Sequence, residues 1–272
     1  MASYLENLSD WFRARLAGPG HMATPDDAQM GLKVLAIWRS RMIADFIVRR
    51  LGSRVLAGPF EGMTYVAQST EGALAPRLLG TYESELHPHI AALAAQGVDC
   101  VIDVGCAEGY YAVGLARLLP QAAIYAFDRD AAALKACGAM AALNDVAERV
   151  EVAGDFRPEA FQRFADRRCL VIMDVEGAED ELLRPDLAPA LAGMSLIVET
   201  HDLIRPGVQA RVRERFAATH DILQVDPGPK PQILPEAMRG MSHLDQLLAV
   251  WEFRAGPTPW LVMTPKGAPP LS

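Results

Sequence analysis

Two short stretches hold most of the side chains that could do chemistry. Asp174-Val175-Glu176-Gly177-Ala178-Glu179 places three carboxylates within six residues, straight after the apolar run Cys169-Leu170-Val171-Ile172-Met173. Glu199-Thr200-His201-Asp202 completes a second apolar run, Ser195-Leu196-Ile197-Val198. Crowded carboxylates oppose one another's ionisation unless a cation faces them. An imidazole among them can take a proton while an acid orients it. The same set, hard oxygens from Asp174 and Glu199 with the ring of His201, can instead hold a divalent cation. The plainest reading has these acids capping the helices that follow.

Such residues need a frame that brings them to one edge, and a third stretch indicates which. Cys100 to Val104 is a short apolar run bearing one acid, Asp103, and suits a strand buried on both faces. Gly105-Cys106-Ala107-Glu108-Gly109 then makes a turn, and from Tyr110-Tyr111 onward the spacing is helical up to Pro120. Glycines let the backbone approach a ligand, and the free N–H groups of the helix start can meet its atoms. The turn lacks the G-x-G-x-x-G of dinucleotide sites, and Glu108 would repel a pyrophosphate. A carboxylate for ribose hydroxyls stands roughly 20 residues on, at Asp128. S-adenosyl-L-methionine has a ribose, an adenine and a sulfonium cation but no phosphate. Acids on both strand ends suit it better than NAD.

At this point the residues resemble the class I S-adenosylmethionine-dependent methyltransferases. Asp-Val-Glu-Gly-Ala-Glu at 174–179, Gly-Thr-Tyr-Glu at 80–83 and the Asp-x-Gly-x-x-x-Gly-Tyr-Tyr turn are similar to the FkbM-like branch, over about residues 78–200. Cys106 and Ala107 depart from that branch's more usual turn. The resemblance implies a Rossmann-like seven-stranded mixed sheet. It also implies a cofactor cradle of Asp103, Gly105, Cys106, Ala107, Glu108, Gly109, Tyr110 and Tyr111. Tyr82 and Glu83 would lie over the methionine end. Asp128, with Arg129 beside it, would take the ribose, and Asp155 and Phe156 the adenine. Asp174 and His201 would face the acceptor, with His201 as catalytic base and Asp174 its companion. The Asn/Asp-Pro-Pro-Tyr signature of amide and adenine methylation is absent.

The elements around these motifs follow in order. Residues 1–55 read as a helical N-terminal extension, with a second helix from about Asp26 to Arg50 whose wide apolar stripe requires a cap or a homodimer contact. Residues 56–272 read as the methyltransferase domain: a small hairpin at 59–66, a helix opening at 78–86, then the strands. An insertion at 227–258 precedes the last strand, and Arg239, His243, Trp251 and Arg254 could wall a substrate site from it. Arg211, Arg213 and Arg215 read as a solvated helix face. A net charge of −8 over 272 residues gives no basic field for nucleic acid. The four cysteines form no C-x-x-C pair and read as reduced residues of a cytoplasmic protein. No segment is apolar enough to span a membrane. The expected activity is methyl transfer to a small molecule, most simply O-methylation. The rivals are a non-catalytic S-adenosylmethionine-binding or scaffold protein of the same fold and, more distantly, a nicotinamide dehydrogenase.

Overall fold

The computed structural model describes residues 2–16, 24–66, 73–231 and 234–268. Helix α1 (Ala2–Leu16) precedes α2 (Pro25–Leu51). A capping box starts α2: the Thr24 hydroxyl accepts from the Asp27 N–H, and the Asp27 carboxylate accepts from the Thr24 N–H. Gly52, at φ 88°, ends it. Ile43, Ala44 and Ile47 of α2 are buried in the same core as Leu78 and Ile90. Met30, Leu32 and Leu35 stay exposed, on the helix expected to make a dimer contact.

The helix expected to open over 78–86 is broken. α3 (Leu74–Leu79) stops at Gly80, a 3-10 turn covers Ser84–Leu86, and α4 (His87–Ala95) follows. A Cβ on Gly80 would lie 1.9 Å from the Ala57 carbonyl oxygen, so the chain can turn there only without a side chain. The expected hairpin at 59–66 is a turn closed by one antiparallel bridge, Arg54 to Thr64.

The sheet is built from β1 (Cys100–Val104), β2 (Ala123–Phe127), β3 (Val150–Ala153), β4 (Cys169–Met173), β5 (Ser195–Glu199), β6 (His220–Val225) and β7 (Trp260–Pro265). Between them run α5 (Tyr110–Leu118), α6 (Ala131–Leu143), α7 (Glu179–Leu182), α8 (Val208–Phe216) and α9 (His243–Ala249). The strand order is β3-β2-β1-β4-β5-β7-β6, with β7 antiparallel to both its neighbours and the other pairings parallel. This is the Rossmann-like seven-stranded mixed sheet expected from the sequence. β1 and β4 are buried at every position, as two-sided cover requires of central parallel strands. The chain leaves β1 for β2 on one side and returns to β4 on the other. Open sheets carry a crevice at such a reversal, outside the strands' carboxyl ends.

The insertion is anchored. From α9, Asp245 accepts two hydrogen bonds from Arg39 of α2, at 2.6 and 2.8 Å. Among the described residues no helix is long and apolar enough to cross a membrane.

Candidate functional site

The carboxyl ends of β1, β2 and β4 are stapled together by backbone. Gly105 and Cys106 donate to the Phe127 carbonyl at 2.8 and 3.0 Å, and Asp174 donates to that of Val104 at 3.0 Å. A Cβ on Gly105 would fall 1.7 Å from the Asp174 carbonyl oxygen, so only glycine lets the two strand ends meet. The bend is then pinned from β2, where Asp128 accepts from the Ala107 N–H at 2.9 Å.

A cavity opens on each side of this bend, and Gly105, Asp174 and Glu176 border both. The smaller, of about 160 Å³, is walled by Phe127 and Phe156, with Asp128 and Arg129 at its mouth. The two phenyl rings pack edge to face, 4.7 Å apart. Asp155 does not face it as expected. Its exposed carboxylate pairs with Arg129 at 3.1 Å and sits 3.9 Å from Arg157, because the strand ends at Ala153 and the chain turns outward before Phe156.

The larger cavity, of about 400 Å³, is reached by Tyr82, Glu83, Asp103, Cys106, Tyr110 and Tyr111 on one side and by Asp174, Glu199 and His201 on the other. Two expected cradle acids are not free to meet a ligand's cation. Glu108 is fully buried and accepts from the Tyr65 hydroxyl at 2.5 Å and from the Arg77 guanidinium. Glu83 accepts from the Tyr111 hydroxyl and, at 2.8 Å, from Arg254, while its own N–H donates to Glu252. Burial, with nearby Glu199 adding and Arg254 opposing, pushes the Glu83 carboxyl up to about 8. These acids build the wall. Of the four insertion residues expected to wall the site, only Arg254 borders the cavity, beside Glu252, Phe253 and Thr258.

Backbone strain gathers here. Among the described residues five other than glycine have positive φ, and four of them, Glu83, Ala107, Glu176 and Phe253, line this cavity. Such conformations persist where surrounding structure fixes them, which is typical of ligand sites.

At the far end sits His201, 4 % exposed. Its Nδ1 lies 2.5 Å from Glu179 Oε1. Its Nε2 faces Glu176 at 3.4 Å, Asp174 at 3.5 Å and Glu199 at 3.8 Å. Burial pulls the imidazole down, but the carboxylates of Glu179, Glu199 and Glu176 outweigh it and hold the ring above its ordinary value. Burial first, then Glu199, Glu83 and Glu176, push the Asp174 carboxyl well up. Glu199 divides its oxygens: Oε1 accepts from Arg254 and, at 2.5 Å, from the Thr258 hydroxyl, while Oε2 is the atom 3.8 Å from His201 Nε2. Among the described residues the ligand atoms that converge are those of Asp174, Glu176 and His201, with Glu176 in the place expected of Glu199. Asp202 takes the capping role, accepting from the N–H groups of Gly207 and Gln209 at the start of α8. The arginines of α8 are not simply solvated. Arg211 binds Asp180 and Arg215 donates to the carbonyls of Asp180 and Leu183.

No protein-family model matches the chain, and no curated protein matches it. Solved structures do. An O-methyltransferase from Bacillus cereus in complex with SAH is 14 % identical, covering 65 % of this chain and 78 % of that one, with a TM-score of 0.44. The O-methyltransferase TomG from Streptomyces achromogenes, in complex with SAM, is 15 % identical over 84 % and 90 %, with a TM-score of 0.45. An rRNA methylase from Streptococcus thermophilus is 17 % identical over 66 % and 94 %, with a TM-score of 0.46.

Proposed function

We propose that the chain is an S-adenosylmethionine-dependent methyltransferase that acts on a small-molecule hydroxyl. One observation carries this reading. The Gly105 bend divides a single crevice at the sheet's switch point into two cavities of unlike character. The smaller offers aromatic walls beside Asp128, which suits an adenosine. The larger begins at the same bend, beside Asp174, and is lined further by His201, which suits a sulfonium-bearing tail and an acceptor beyond it. When bound, that cofactor supplies a methyl group on a positively charged sulfur that is already a good leaving group.

The chain's own part is then positioning and proton handling. Gly105 and the α5 start leave room for the tail. Asp174 borders both cavities and marks the point where they meet. His201, held through Nδ1 by Glu179, presents Nε2 where an acceptor hydroxyl would shed its proton. The acid-rich lining supports a small acceptor over a nucleic acid, whose phosphates those carboxylates would repel.

His201→Ala should lower turnover by about a hundredfold or more, the usual scale of a proton-transfer group. Affinity for S-adenosylhomocysteine should change little. Methyl-transfer kinetics and calorimetry read the two separately, and an equal loss of both would remove His201 from the chemistry. Failure of S-adenosylhomocysteine to bind at all would end the methyltransferase reading.

A further inference from the structure

The larger cavity changes character between its inside and its rim. Inside stand the carboxylates of Glu83, Asp103, Asp174 and Glu199 with the imidazole of His201. The two cations that line it, Arg77 and Arg254, are engaged by the wall's own acids: Arg77 by Glu108, and Arg254 by Glu83, Glu199 and Glu252. An anionic acceptor would therefore meet like charge already holding its counter-ions.

The rim is apolar. Leu203 and Ile204, in the turn after β5, are 62 % and 59 % exposed. Of the large apolar side chains that stay exposed among the described residues, only these two border either cavity. Their turn is held: the N–H groups of Ile204 and Arg205 donate to the His201 carbonyl at 3.0 and 2.8 Å. The residue that faces the acceptor and the two beside the opening thus belong to one fixed turn. From the insertion, Phe253 lines the same cavity with its backbone left-handed at φ 66°, and Trp251 packs against its ring edge to face, 4.7 Å between centroids. The two sides touch. A Cβ on Gly256 would fall 2.5 Å from Leu203 Cδ1, so Leu203 lies against the backbone of the insertion. Exposed apolar side chains beside a polar cleft mark a surface that a ligand covers.

We propose that Leu203, Ile204 and Phe253 select the acceptor, and that it is an uncharged amphiphile, a hydroxyl carried on an apolar body. The hydroxyl enters toward His201, and the apolar body stays at the rim. A free sugar, polar all round, would leave these three side chains uncovered. The rim stands on its own geometry, whereas the fate of the hydroxyl rests on the methyltransferase reading.

The test is calorimetry of the full-length protein with phenol, 4-ethylphenol and 4-butylphenol, which share a hydroxyl and differ in apolar length, and with methyl glucoside. Affinity should rise roughly two- to fourfold with each added carbon, the upper value being complete transfer of that group out of water. The double variant Leu203→Asn, Ile204→Asn should flatten this series. Both side chains are exposed, so the fold should tolerate the change. Should it not, the series in the unmodified protein still decides. Equal affinity for the three phenols, tighter binding of methyl glucoside than of 4-butylphenol, or an undiminished series in the folded double variant overturns the proposal. A separate titration with S-adenosylhomocysteine distinguishes the two readings. Cofactor product bound beside a flat phenol series sinks only the rim. A rising series without cofactor product bound sinks only the methyltransferase.

Discussion

Asp103 lies mid-crevice on β1, 2 % exposed, and no hydrogen bond reaches its Oδ2. Burial pushes its carboxyl up to about 7; the Ala112 N–H opposes this and Asp128 adds to it. The sign of the consequence follows. Above the ordinary carboxylate range the unfolded chain gives up this proton while the native protein keeps it. The contribution is therefore complete below about pH 4, declines as pH rises, and is lost once pH passes about 7. Each unit of difference is about 1.4 kcal/mol. Asp103→Asn should make stability less dependent on pH across that window, by a few kcal/mol between its ends. Urea midpoints of both proteins from acid to neutral pH measure this, and identical slopes would refute it. Single residues are also where sequence reading succeeds and fails most sharply. Asp128, Phe156, Asp174 and His201 were legible because each sits at a strand's carboxyl end. The partners were not. Arg77 meets Glu108 across 31 positions and Arg254 meets Glu83 across 171, and no local spacing encodes such pairings.

Strands and their joins carry the next scale. The buried strands were legible because a strand covered on both faces needs a continuous apolar run. Their ends were legible because glycine and aspartate stand there. The segment before β1 was not. An apolar, helix-forming sequence from Leu78 to Leu86 is interrupted by Gly80, whose approach to Ala57 depends on a chain segment with no regular structure of its own. The bend at Gly105 follows the same physics and gives a prediction. Gly105→Ala would put a methyl group 1.7 Å from the Asp174 carbonyl oxygen at φ 84°, so β1 and β4 must part at the crevice. Overpacking typically destabilises by about 1–3 kcal/mol, and the unfavourable φ adds to it. The thermal midpoint should fall, and S-adenosylhomocysteine affinity should fall more steeply than in His201→Ala, because both cavities share this bend. Native-like affinity in Gly105→Ala would show that the bend does not shape the site.

Across the whole molecule, the division into a helical extension and a catalytic domain at residue 55 reads naturally from sequence, since a wide apolar helix is followed by a glycine. The packing binds the two parts closely. Ile43, Ala44 and Ile47 share one core with Leu78, Leu79, Ile90 and the sheet's Val101 and Ile124. Arg39 clasps Asp245, which ties α2 to the insertion bordering the larger cavity. Burying one isoleucine contributes about 1.5–3 kcal/mol. Losing two, with the neighbours they cover laid open, removes a large share of a domain's usual 5–15 kcal/mol or so. A chain starting at residue 56 should therefore unfold at a markedly lower temperature than the full chain, or fail to unfold cooperatively. It should also expose apolar surface that draws it into aggregates. Differential scanning calorimetry with size-exclusion chromatography decides the matter. If the shortened chain instead melts cooperatively at the full chain's temperature and binds S-adenosylhomocysteine as tightly, then α2 is a separate attachment. The crevice would then owe its shape to the sheet alone.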